Sequence, residues 1–480
     1  MPLPQAQHHA CMLDQLDRAL ARAEADFPLL LDRLKTLVRI PSCSFPGFDH
    51  SHVDRSADAT VALLLECGFP AARVVRLPGV LPYVLATDHR AGAGAPTLLL
   101  YAHHDVQPPL REEMWTTPPF EPVERDGRLY ARGAADDKAG IVLHAFSAKA
   151  WNDVAGHPPV NLTVLIEGEE EIGSAHIGDF LALHRVELAA DALVIADLGN
   201  YDTGLPSLTT SLRGNVVVEV ELRALKSPLH SGMWGGLVAD PALALCKLLA
   251  TLTDDDGAIA IAGFHDQVRP PDPRQLADFA RLPYSADYLA GQAGTVRQTL
   301  PADPAEAFQR VWLRPSLTVT AVQSGVRGKT GNVIMDTAWA RISVRTVPDQ
   351  DGPAIERLLV AHLERYAPAT CELEITGRGD ASPAWSTRTD HPVFAVARAA
   401  LETGYGVPPV AIGCGASIPF VGEMTAALGG IPALLLGIED PTCGAHAENE
   451  SVHLGDLRKG LRAQVALIGL MAKAGRAPAG

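Results

Sequence analysis

Five places in the chain gather side chains that can bind a cation or move a proton: His103-His104-Asp105, Asp136-Asp137, the run Glu167-Gly168-Glu169-Glu170-Glu171, Asp197 and His446. Residues two apart on an extended backbone point the same way. Asp105 can therefore face the ring of His103 and fix its tautomer, as a carboxylate does behind a metal-binding histidine. Asp136 and Asp137 follow small residues and lead into a helix-forming stretch at 138–151, which suits either a helix cap or a metal-bridging carboxylate. Four acids within residues 167–171 repel one another, and either solvation or bound cations would relieve the repulsion. A carboxylate beside a metal ligand, without being one, can serve as a general base. Imidazole together with carboxylate suits zinc, and also manganese or cobalt. Five ligands suit two ions that share one carboxylate.

Such groups need a scaffold, and apolar runs supply it. TLLLYAHHD (97–105), VNLTVLIEGEEE (160–171), DALVIADLG (191–199) and IPALLLGIEDPTCGAH (431–446) each pass from a continuous apolar stretch into acids or histidines. Continuous runs of this length read as strands buried on both faces of a parallel sheet, and in open α/β sheets ligands sit beyond the carboxyl ends of the strands. The middle of the chain alternates instead: NVVVEVELRA (215–224), SLTVTAVQ (316–323), AWARISVRTV (338–347) and ELEITG (372–377). Alternation predicts a half-exposed antiparallel sheet. Helical spacing covers 14–38 and 54–67, with further helices near 241–253 and 353–366. The expected fold is α/β, a mostly parallel sheet with flanking helices, plus an inserted smaller α+β domain. Residues 1–207 and 384–480 form the discontinuous first domain, and 208–383 the insertion. Arg269 to Arg274 (RPPDPR) reads as a loop.

Composition narrows the partners. The 480 residues carry 40 Lys and Arg against 56 Asp and Glu, a net charge of −16 that disfavours nucleic acid and anionic membranes. No apolar run is long enough to span a bilayer, and the first twenty residues lack the layout of a secretory signal. Seven cysteines without a CxxC pair fit free thiols in a reducing compartment, so the expected location is cytoplasmic.

Taken in order, these motifs resemble the dinuclear zinc exopeptidases that include carnosinase, cytosolic nonspecific dipeptidase, glutamate carboxypeptidase and aminoacylase. The resemblance rests on YAHHDVQP (101–108), RGAADDKAG (132–140), EGEEEIGS (167–174), Asp197, LHSGMWGG (229–236), ISVRTVP (342–348), GASIP (415–419) and GAHAENE (444–450). Length and the GAIAIAGF segment (257–264) are most similar to the dipeptidase and carnosinase branch. The resemblance implies a zinc exopeptidase-like catalytic domain and an inserted lid or dimerisation domain. It implies one metal on His103, Asp136 and Asp197 and a second on Asp136, Glu171 and His446, with Asp105 behind His103 and a cis Asp136–Asp137 peptide. Glu170 would be general base toward a metal-bridging water. His230 would stabilise the oxyanion in the partner subunit of a homodimer. Arg345, Asn332 and Ser417 would bind the substrate's terminal carboxylate and nearby polar groups.

Where many relatives have Arg ahead of the Ser-Ile-Pro stretch, this chain has Gly413, so one cation near the substrate is missing. Met335 stands where relatives often have Pro, and Ala139 replaces a common Gly. The implied reaction is amide hydrolysis of dipeptides or similar short substrates with a free carboxylate. The alternative is an N-acyl-amino-acid amidohydrolase on the same site. An acidic contact for a substrate ammonium would favour dipeptides, and a greasy pocket would favour acyl groups. A non-catalytic binding protein would have no need of Glu170.

Overall fold

The computed structural model describes residues 5–297, 300–329, 331–378 and 382–475, and divides them into two compact units. The first holds residues up to Thr210, Thr387–Ile412 and Phe420 onward; the second holds Ser211–Ser386 and Gly413–Pro419. The short segment 413–419, which carries Ser417, thus groups with the insertion, whereas the sequence reading placed it in the first domain. Its ties run through Arg213 and Arg345, distant in sequence.

The four apolar runs form four adjacent strands of one sheet: β1 (Thr97–His103), β2 (Asn161–Glu167), β3 (Ala192–Ile195) and β4 (Ala433–Leu435). The spatial order is β2-β1-β3-β4, and all three pairings are parallel. Strands Ala71–Val75 and Tyr83–Asp88 extend the sheet antiparallel beyond β2. Every residue of β1, β2, β3 and β4 is buried, as two-sided cover requires. Register aligns the carboxyl ends: His103 lies opposite Glu167, Tyr101 opposite Ile195, and Leu435 opposite Ile195. The residues that follow each strand therefore emerge at one sheet edge.

Four helices, α1 (Gln5–Val38), α2 (Lys138–Ala155), α3 (Pro392–Tyr405) and α4 (Leu454–Ala474), close one apolar core with that sheet. α1 starts nine residues before the predicted 14; residues 5–13 include Gln, Ala, Met and Leu, good helix formers without an apolar stripe to mark them. Asp137 caps α2, accepting from the Gly140 N–H at 3.1 Å, and Gly156 ends it at φ 85°. Trp151 is wholly buried and donates through Nε1 to the Val465 carbonyl at 3.0 Å, tying α2 to α4.

The second unit contains a four-stranded antiparallel sheet in the order Ser316–Gln323, Thr337–Thr346, Gly214–Arg223, Glu372–Arg378. Its alternating residues Val216, Val218, Val220 and Leu222 meet Ala338, Ala340, Ile342 and Val344 on one face. Helices Pro241–Ala250 and Gly352–Tyr366 cover that face through Leu245, Leu248, Ile355 and Leu359. The Arg269–Arg274 loop ends sooner than predicted: Asp272 caps a helix that begins at Pro273. Among the described residues, no helix is long and apolar enough to cross a membrane.

α3 and α4 approach closely enough that a Cβ on Gly404 would lie 2.5 Å from the Ala463 amide nitrogen and the Lys459 carbonyl oxygen. Helix propensity alone would favour alanine there by about 1 kcal/mol. Backbone overlap costs ~1–3 kcal/mol and wins. Gly404→Ala is expected to lower the thermal midpoint. Gly291→Ala, in the helix Ala286–Gln292 with open space around it, is expected to hold or raise it in the same melting experiment.

Candidate active site

His103 closes β1 with its ring fully buried. Its Nδ1 donates to the Asp105 carbonyl oxygen at 3.1 Å, with Asp105 Oδ1 at 3.4 Å, which leaves the Nε2 lone pair available to a cation. Nε2 stands 3.0 Å from Asp136 Oδ1, 3.5 Å from Asp197 Oδ1 and 3.9 Å from Glu170 Oε2. His104 turns the other way, toward the Pro82 carbonyl at 2.9 Å; burial pulls it down to about 4 and keeps it neutral.

Asp105 does more than orient a ring. Its two oxygens accept from the backbone N–H groups of Glu170 and Glu171 at 3.2 and 3.1 Å, so one buried carboxylate holds both the histidine and the acid turn after β2. The acids of that turn divide their work. Glu167 accepts from the Tyr101 hydroxyl at 2.7 Å, and Glu169 from Tyr83 at 3.1 Å and His176 at 2.9 Å. Glu171 accepts from the Gln107 backbone and side chain at 2.9 and 2.7 Å, and its Oε2 lies 3.3 Å from His446 Nε2. The Glu170 side chain is mostly buried and has no hydrogen bond to any described residue.

The two acids part company in the structure, and only Asp137 takes the cap. Asp137 caps α2, and Asp136 places Oδ1 on His103 and Oδ2 2.9 Å from His446 Nε2, across a cis peptide. Glu450 holds the Asp136 loop in place. Buried beside Arg132 at 2.7 Å, it accepts from the Gly133, Ala135 and Asp136 N–H groups at 2.9, 2.9 and 3.1 Å. Lys138, also buried, donates to the Leu37 and Ile40 carbonyls at 3.0 and 2.7 Å and joins the same turn to the end of α1. Burial brings it down to about 7.

Among the described residues, three sets each bring their ligand-type atoms within 4.8 Å of one another: His103, Asp137 and Asp197; Asp136, Glu171 and His446; Asp136, Asp197 and Glu439. Burial, followed by the charges of Asp197 and Asp136, pushes Glu170 well above the ordinary carboxylate range; burial and Asp136 do the same to Glu171. Glu439 rises for the same reasons. Asp136 goes the other way: burial would raise it, but hydrogen bonds from His103 and His446 outweigh burial and hold it low. Two imidazoles among crowded carboxylates fit divalent cations, which would relieve the repulsion.

The remaining predicted residues belong to the second unit and fall into two pairs. Arg345 donates to Ser417 Oγ at 2.8 Å. His230 pairs with Val333 in a short ladder, and the Asn332 carbonyl accepts from Ser231 N–H at 2.8 Å, so His230 and Asn332 are neighbours. The His230 Nδ1 accepts from Gly232 N–H at 3.1 Å, which puts the ring proton on an exposed Nε2. Sequence reasoning missed Glu439, Glu450, Arg132 and Gln107. Glu450 and Arg132 sat inside motifs without a signal of their own, and Glu439 follows β4 as Asp197 follows β3, which could have marked it.

The Peptidase family M20/M25/M40 model matches residues 99–469. The chain is 31% identical over 364 residues to a cysteinylglycine-S-conjugate dipeptidase of Corynebacterium striatum, covering 75% of this chain and 77% of that one. It is 28% identical to the Cys-Gly metallodipeptidase dug1 of Schizosaccharomyces pombe, covering 94% of this chain and 96% of the relative. The solved structure of the dipeptidase Dug1p from Saccharomyces cerevisiae superposes with a TM-score of 0.80 at 26% identity, over 95% of this chain and 98% of that one. The matched span runs from β1 into α4 and takes in every residue of the three ligand-type sets, and on that ground the chain belongs to Peptidase family M20/M25/M40.

Proposed function

We propose that the chain is a metal-dependent dipeptidase, hydrolysing the amide bond of dipeptides and similar short substrates with a free carboxylate. The observation that carries this reading is Asp136, whose two oxygens face two different histidines, with Glu170 close by and uncommitted. In this reading one divalent ion takes His103, Asp136 and Asp197, and the other takes Asp136, Glu171 and His446. Asp137 is less suited to the first ion, because its carboxylate already caps α2. Zinc is the metal this donor set favours, with manganese and cobalt as alternatives. When bound, the ions supply Lewis acidity that polarises a carbonyl and makes water a better nucleophile at neutral pH.

The chain's own residues do the rest. Glu170, aimed by its Asp105-held backbone, accepts the proton of the attacking water and returns it to the leaving amine. His230 offers its Nε2–H to the developing oxyanion. Arg345, steadied by Ser417, holds the substrate carboxylate with its planar fork, and Asn332 binds a neighbouring polar group. Met233, Trp234, Leu237 and Val333 project into solvent around His230, and an exposed apolar patch of this kind supports a homodimer through the second unit, with His230 serving the partner subunit. Among the described residues, six cysteines form no disulfide, which fits a cytoplasmic setting.

A substrate panel tests the reading. The metal-loaded protein is expected to cleave Ala-Leu and β-Ala-His and to spare amidated dipeptides. Glu170→Gln is expected to lower kcat by ~10²–10⁴-fold with metal content unchanged. Hydrolysis of N-acetyl-Leu in place of Ala-Leu would transfer the assignment to the amidohydrolase. Mixing tests the dimer: Glu170→Gln and His230→Ala homodimers are each inactive, and dissociation and reassociation should restore roughly a quarter of wild-type activity if His230 acts across the dimer. No recovery in verified mixed dimers would place His230 in its own subunit's chemistry.

A further inference from the structure

Glu439 is the one member of the three ligand-type sets left without a task. It lies on the loop after β4 and is fixed by its backbone, whose carbonyl accepts from the Asn200 N–H at 2.8 Å in a parallel bridge with Gly199. Gly437 permits that approach. A Cβ there would fall 1.2 Å from the Leu198 carbonyl oxygen, so the loops after β3 and β4 lie in direct contact. Asp197 and Glu439 are brought together by this contact, and Glu439 stands within 4.8 Å of Asp136 and Asp197 in a set that does not include His103. Its neighbour Asp440 forms an ion pair with Arg128 at 2.8 Å. The Glu439 side chain has no hydrogen bond or ion pair with any described residue.

A carboxylate in that position calls for a cation. A further metal ion there would have only carboxylates, two of them already needed by the His-containing sets. The substrate supplies a better candidate. In a dipeptide the α-nitrogen is separated from the scissile carbonyl carbon by a single Cα, a distance of ~2.5 Å from ordinary bond lengths and angles. When that carbonyl is presented to Asp136 and its neighbours, the ammonium must come to rest within a few ångströms of the same cluster. An N-acyl substrate would place a hydrocarbon there and leave the acid unpaired, which is costly for a charge removed from water.

We propose that Glu439 receives the free α-ammonium group of the substrate and thereby selects dipeptides over N-acyl amino acids; this rests on the metal-dependent dipeptidase reading. The test compares Ala-Leu with propionyl-Leu, which differs only in lacking the amine, on the metal-loaded full chain. Wild type is expected to favour Ala-Leu strongly in kcat/KM. In Glu439→Gln that ratio should fall by ~10–100-fold, mainly through a higher KM for Ala-Leu, as expected for loss of one charge-assisted contact. Metal content by mass spectrometry and the thermal midpoint should not change. Glu439→Ala provides a second variant if the amide folds poorly, and Glu439→Asp should retain part of the preference. A fall in metal content would make Glu439 a metal ligand and overturn the proposal. An unchanged ratio alongside intact Ala-Leu hydrolysis would also overturn it, while leaving the dipeptidase reading in place. A wild type that hydrolyses propionyl-Leu but not Ala-Leu would overturn the dipeptidase reading itself, and the proposal with it.

Discussion

Asp136 stands between two histidines with Asp197, Glu171 and Glu439 at its sides, and the first unit is organised around keeping that crowd together. At about 4 Å and an effective dielectric near 20, two carboxylates repel by roughly 4 kcal/mol. A hydrogen bond to a charged group returns only ~1.5–3 kcal/mol. Hydrogen bonds therefore position these acids but do not neutralise them, and burial, with the neighbouring acids adding to it, raises the affinity of Glu170, Glu171 and Glu439 for protons. A centre of this kind is incomplete without external positive charge, and the metallopeptidase character of the family supplies the divalent ions that balance it.

The scaffold responds to the repulsion with rigidity. β1, β2 and β3 end in register, so their terminal acids have no freedom to drift apart along the sheet. Behind them, Asp105 pins the Glu170–Glu171 turn and Glu450 pins the Gly133–Asp136 turn, each through several backbone N–H groups. Arg132 compensates Glu450 directly, and Lys138 crosses the core to the end of α1. Charge is thus divided by depth. Asp105 and Glu450, each held by several amide donors, sit behind, while the Glu170 side chain faces the centre without them.

Periodicity and composition made the frame legible, because parallel and antiparallel strands bury different numbers of faces. TLLLYAH could be told from NVVVEVELR by pattern alone. His103 and Asp105 were readable from the two-residue repeat of a strand. Asp136 and Asp137 were not separable by pattern alone, since a cap and a cation-binding acid use the same residue type, and only the turn geometry makes Asp137 the cap and turns Asp136 toward His103. Glu450 was hidden because its partners, the amides of 133–136, lie more than 300 residues away. The placement of 413–419 escaped for a similar reason: its ties are to Arg213 and Arg345, distant in sequence.

Gly413 shows how a local departure can be offset from elsewhere in the fold. A Cβ at 413 would lie 2.6 Å from Trp312 Cβ and 2.9 Å from Ser211 Oγ, so the place a longer side chain would need is already filled. The cation nevertheless persists in another form. Arg213, from the edge of the second unit's sheet, lies buried against the same loop, donating to the Gly415 carbonyl at 3.0 Å and to Ser316 Oγ at 3.1 Å. It has no acidic partner among the described residues. Burial and the charge of Arg345 pull its guanidinium down to about 10, still protonated at neutral pH. Two guanidinium groups close enough to disfavour each other, with Ser417 between the segments that carry them, make a field that an anion relieves. Beside the loop that carries Gly413, the positive charge therefore comes from position 213, a residue distant in sequence.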